Sequence, residues 1–107
     1  MKKLLTFALA TTISSYAYSY SDELVVFCSE VANIAETTMH SRQRGVEAEQ
    51  LLTLFKTHLE ELDEHLYKAS LVLLRSAYSE PKFNSASYQQ IAVSEFKNNA
   101  FIGCLGE

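Results

Sequence analysis

Two cysteines, Cys28 and Cys104, stand 76 residues apart near the two ends of a 107-residue chain, and there is no third. In an oxidising compartment an even count of this kind is expected to close a disulfide, and with two cysteines only one intramolecular pairing exists. A bond across that loop restricts the unfolded chain by about 4 to 5 kcal/mol on the chain-entropy account, although measured effects often fall below it. That rivals the whole stability of a small domain. The alternative is two free thiols, or a dimer bridged through one of them. A redox-active pair is disfavoured, because such cysteines usually sit close in sequence, as in Cys-x-x-Cys, with a lowered thiol pKa.

The oxidising compartment is itself expected from the N-terminus. Lys2 and Lys3 precede an apolar stretch over residues 4–13, followed by the small and aromatic residues Ser14, Ser15, Tyr16, Ala17, Tyr18 and Ser19. This is the pattern of a secretory signal peptide. The stretch contains Thr6, Thr11 and Thr12 and falls well short of the roughly 20 apolar residues that a bilayer-spanning helix requires. The spacing of small residues favours cleavage after Ala17, with Ser19 as the alternative. Residues 18–107 then form the mature domain, soluble and without a stable membrane anchor, in the periplasm or outside the cell. An uncleaved tether is the competing reading.

A chain of this length holds one domain. Its 48% hydrophobic content, 21% charged content, three glycines and single proline describe a packed globular protein and argue against disorder. Without residues 1–17 it carries 7 Lys and Arg against 13 Asp and Glu, a formal net charge of −6. An acidic surface with scattered cations repels phosphate backbones, so nucleic acid is not an expected partner.

Apolar positions recur at helical spacing along the mature chain, and no segment alternates with the period of a strand. Leu24, Phe27, Cys28, Val31, Ala35 and Met39 draw one stripe down a first helix between Asp22 and Gly45. Ser21 or Asp22 is the expected cap, and Gly45 the left-handed stop. From Val46 to Glu80 there is no Gly or Pro, and Ala48, Leu52, Phe55, Leu59, Leu62, Leu66, Ala69 and Leu73 form a heptad-like seam. One helix of about 32 residues would be roughly 48 Å long, against a radius of gyration near 12 Å for a compact chain of this size. A break within residues 56–63 is therefore favoured, with Thr57 or Asp63 as cap. It gives a second helix over residues 46–56 and a third over residues 64–78. An unbroken helix paired with a partner molecule is the alternative.

Pro81 ends the third helix near Ser79, and residues 82–86 connect to a fourth. There Ser87 and Gln90 have the form of a capping box, and Ile91, Ala92, Phe96, Ala100 and Cys104 make the inward stripe. The expected fold is all-α, a small bundle of about four helices stapled between the first and last by Cys28 and Cys104.

Four features stand in order: Cys28 in the first helix, Arg42-Gln43-Arg44-Gly45 at its end, Ala77-Tyr78-Ser79-Glu80-Pro81 after the third, and Phe96 leading to Cys104. This layout resembles a loose group of short exported bacterial proteins with an Arg-Gln-x-Gly turn, an Ala-Tyr-x-x-Pro turn and a terminal Phe followed by Cys. The resemblance covers most of the mature chain. It implies a fold, an exported state and a disulfide, and it carries no catalytic residue onto any position.

Few residues offer chemistry. On an unbroken helix His58, Glu61 and His65 would share one face with the spacing of a zinc site, but a solvated acidic junction is the favoured reading, and no metal or other cofactor is expected. Arg42 and Gln43 are expected to bond helix-end carbonyls, with presentation to an acidic partner as the alternative. Tyr67, Tyr78 and Tyr88 are more readily packing residues than a recognition surface. With three histidines, no Gly-rich loop and no serine motif, no enzyme is expected. What remains is a small exported binding module for a protein or peptide of the cell envelope, an inhibitor or adaptor, with homodimer formation open. The alternative is an acid-responsive periplasmic chaperone, in which protonation of the carboxylates loosens the helices while the disulfide holds.

Overall fold

The computed structural model describes residues 20–106, which form four helices: α1 (Asp22–Gln43), α2 (Ala48–Leu59), α3 (Glu64–Tyr78) and α4 (Ala86–Gly106). The signal peptide expected over residues 1–17 and its cleavage site lie outside the described residues. No helix among the described residues is long and apolar enough to cross a membrane.

Local chemistry sets most boundaries. Ser21 Oγ accepts the Leu24 N–H at 3.2 Å and caps α1. Gly45, at φ 86°, turns the chain back after the helix, a conformation that costs glycine little. The break in the long apolar seam is real: α2 ends at Leu59, and Asp63 Oδ1 accepts the Leu66 N–H at 3.0 Å to start α3. Thr57 does not cap. Its hydroxyl instead donates to the Thr53 carbonyl inside α2 at 2.9 Å. Leu62, assigned to the seam by spacing, lies in the turn and is 85% exposed. The capping box expected at Ser87 and Gln90 is also displaced. Ser85 Oγ accepts the Tyr88 N–H at 3.2 Å, and α4 begins at Ala86.

α1 is the central helix. Its buried side chains Cys28, Val31, Ala32, Ala35, Thr38 and Met39 spread over a face broad enough to receive both α3 and α4. Val31 and Ala35 meet Leu66 and Leu73 of α3, while Phe96, Ala100 and Cys104 of α4 close on the same cluster. Small residues allow close approach: Ala35, Ser70 and Ala77 have no exposed surface, and Ser70 satisfies its hydroxyl on the Tyr67 carbonyl at 2.7 Å. α2 packs mainly on α3 through Leu51 and Phe55.

α4 differs from the others. It runs antiparallel along α1, yet none of its residues is fully buried. Ile91, expected on the inward stripe, is half exposed, because α4 packs along α1 and scarcely touches α3. Its far end is fixed by the Cys28–Cys104 disulfide, which links α1 to α4 with Cα atoms 5.6 Å apart. That bond fits an oxidising extracytoplasmic compartment.

Candidate functional site

The two turn motifs of the sequence meet at the other end of α1. Arg42 Nε and Nη2 both donate to the Glu80 carbonyl, at 3.1 and 3.0 Å, and the guanidinium lies 5.4 Å from the centre of the Tyr78 ring. The Tyr78 hydroxyl donates to the Val46 carbonyl at 2.6 Å, tying the end of α3 to the connection between α1 and α2. Burial of the Tyr78 phenol raises its pKa above the ordinary value, while the Arg42 cation works in the opposite direction.

Gln43, only 3% exposed, uses both ends of its carboxamide. Nε2 donates to the Pro81 carbonyl at 2.9 Å, and Oε1 accepts the Phe83 N–H at 2.8 Å. Gln89 Nε2 then donates to the Phe83 carbonyl at 2.7 Å, joining the first turn of α4 to the same connection. These bonds form a latch that holds the segment between α3 and α4 against the end of α1. Its bonds join side chains to backbone groups of the neighbouring turns, and so they position the helices against one another. The importance of Arg42 and Gln43 is visible in their motif; that of Gln89 is not, since nothing in its local pattern points to Phe83.

The remaining candidates are dispersed. Tyr67 and Tyr78 lie half-buried at opposite ends of α3, and Tyr88 is exposed near the start of α4, with its ring 6.1 Å from that of Phe83. They form no common surface. His58, Glu61 and His65 are exposed in α2, the turn and α3 respectively, and the helical face that would unite them does not exist. Among the described residues, no group of three or more His, Cys, Asp or Glu could hold a metal ion.

A concave surface runs beside α4, bounded by α3, by the α3–α4 connection and by Met39 of α1. Two hollows of about 170 and 230 Å³ share Glu80, Phe96 and Asn99, and so make one groove. Met39 and Phe96 lie in it, Leu73 and Ser76 come from α3, and Tyr88 and Ile91 stand on the α4 side. Sequence reading missed this feature, because it depends on α3 and α4 staying apart. A larger hollow of about 740 Å³ lies between α1 and α4 on the other side of α4. Its charged groups lie against one another: Lys97 pairs with Glu36 at 3.0 Å, and Arg44 Nη1 lies 3.4 Å from His40 Nε2.

Fold and site together describe a disulfide-stapled four-helix protein with an open groove between α3 and α4. No protein-family model, curated protein or solved structure matches the chain.

Proposed function

We propose that the chain is exported to the periplasm or beyond the cell, loses residues 1–17, and acts there as a binding module for another protein or peptide, inhibiting or adapting an envelope protein. The observation that carries this reading is the α3–α4 groove, whose walls are held by covalent and hydrogen-bonded ties at the ends of α1 while large apolar groups remain accessible. Tyr88 is 62% exposed and Ile91 50% exposed at its α4 side. A wall fixed before binding loses little conformational freedom on complex formation, which favours affinity from a small surface. Binding of this kind needs no cofactor and no catalytic group.

The test is capture from an envelope extract with the oxidised mature domain. One partner should be enriched over a control carrying Ile91→Ser, which alters the groove without touching the latch. Failure to enrich any partner over that control removes the reading.

A further inference from the structure

The groove has a definite chemistry. α4 contributes Tyr88, Ile91, Ala92, Glu95, Phe96 and Asn99, spaced so that they fall on one helical face, α3 contributes Leu73 and Ser76, and Glu80 comes from the connection that follows α3. Its lining thus includes one exposed acidic residue on each side, Glu80 of the connection and Glu95 of α4. No lysine, arginine or histidine lines either hollow. The neighbouring guanidinium of Arg42 is already committed to the Glu80 carbonyl and the Tyr78 ring. From Tyr88 to Ala100 the α4 wall runs about 18 Å, the length of roughly three helical turns.

We infer that the groove takes a cationic amphipathic segment, an apolar stripe flanked by Lys or Arg, lying along α4 with its cations at Glu80 and Glu95. This rests on the binding-module reading and gives the partner its chemistry. Charge complementarity selects this occupant over a second copy of the chain. Two domains carrying 7 basic and 13 acidic residues each would repel on approach, and a symmetric contact would set carboxylates against carboxylates. An acidic segment meets the same repulsion.

The probe is a fluorescein-labelled peptide of about 14 residues, with leucines on one helical face and lysines on the other. Its controls are a twin with Glu for Lys and a peptide of scrambled order. Binding to the oxidised mature chain is followed by anisotropy. The Lys–Leu peptide should bind at least about tenfold tighter than either control, and more weakly as salt rises from about 20 to 300 mM. Glu95→Lys and Ile91→Ser should each weaken it by about five- to tenfold, while Leu54→Ser, a change at an exposed position on α2, leaves it unchanged. All three positions are exposed, so thermal melts of the variants should match the parent.

Equal binding of the Glu twin, or indifference to Glu95→Lys and Ile91→Ser, overturns the inference. So does a concentration-dependent dimer in sedimentation that Ile91→Ser abolishes, which would assign the groove to a second copy. Absence of peptide binding together with an envelope partner lost on Ile91→Ser overturns the cationic chemistry and leaves the binding-module reading standing. Absence of both removes both.

Discussion

Gln43 and Phe83 lie 40 residues apart in sequence, and the side-chain oxygen of the first accepts the backbone N–H of the second at 2.8 Å. Because Gln43 is almost wholly buried and also donates to the Pro81 carbonyl, this one side chain sets where the chain leaves α3 and enters α4. Truncation in Gln43→Ala leaves a backbone donor and a backbone acceptor without partners, at a cost of about 1 to 3 kcal/mol. Denaturant unfolding should show it directly.

Gln43→Glu gives a sharper version with a pH signature. A carboxylate there can accept from Phe83 but faces the Pro81 carbonyl with no proton to donate. Burial raises the folded-state pKa above the unfolded one, so the variant's stability is greatest below the unfolded carboxyl value and falls as pH rises through the folded one. Chemical melts at about pH 4 and pH 7 should therefore differ more for the variant than for the parent, with the variant weaker at the higher pH.

Much of this architecture was legible beforehand, for identifiable reasons. Ser21, Gly45, Asp63 and Pro81 punctuate the helices by local rules, and the spacing of Cys28 and Cys104 on apolar stripes anticipated the staple between α1 and α4. The start of α4 was not legible, because Ser85 and Ser87 both stand three residues before an available N–H. The choice of Ser85 accompanies the Gln89 contact to Phe83, which joins residues 6 apart and belongs to no helix pattern. The candidate groove was invisible for a larger reason. Ile91 fits an inward stripe by spacing, and only the separation of α3 from α4 leaves it exposed.

Tyr78 makes the latch sensitive to alkali. Its phenolic proton bonds the Val46 carbonyl, and its folded pKa is raised by burial. The contribution is fully present below the unfolded value of about 10 and is lost as pH rises through the higher folded value. Tyr78→Phe should remove this part of the alkaline destabilisation and lower stability at neutral pH by about 1 kcal/mol. Thermal melts of both proteins on either side of the transition measure the difference.

Reduction of Cys28–Cys104 should release α4 before the rest of the fold, since that helix has no fully buried residue to hold it. The chain-entropy account allows a loss of about 4 to 5 kcal/mol, with smaller values common in practice. Hydrogen exchange read by mass spectrometry should show protection lost first in the last turns of α4, while α1 and α3 retain theirs.

Asp63 separates α2 from α3, and its cap is a single carboxylate contact to Leu66. Asp63→Ala should cost about 1 kcal/mol, and Asp63→Asn considerably less, because either side-chain oxygen can accept that N–H. Thermal denaturation of the pair, compared with the parent, gives the ordering.

Acid should leave the latch closed. Its members are a guanidinium, two carboxamides, a phenol and backbone groups, none of which takes up a proton at moderate acidity. Near-ultraviolet circular dichroism at about pH 3 should therefore match that at neutral pH. Loss of that signal with helicity retained and hydrophobic dye bound would favour the acid-responsive chaperone instead.

The attachment of α4 also bears on how readily this protein could be redirected. A rod pinned by sulfur at one end and by a buried amide at the other keeps its position whatever side chains its exposed middle displays. New contact preferences could therefore be installed between Ile91 and Asn99 by altering single surface residues, with the scaffold beneath them left as it stands.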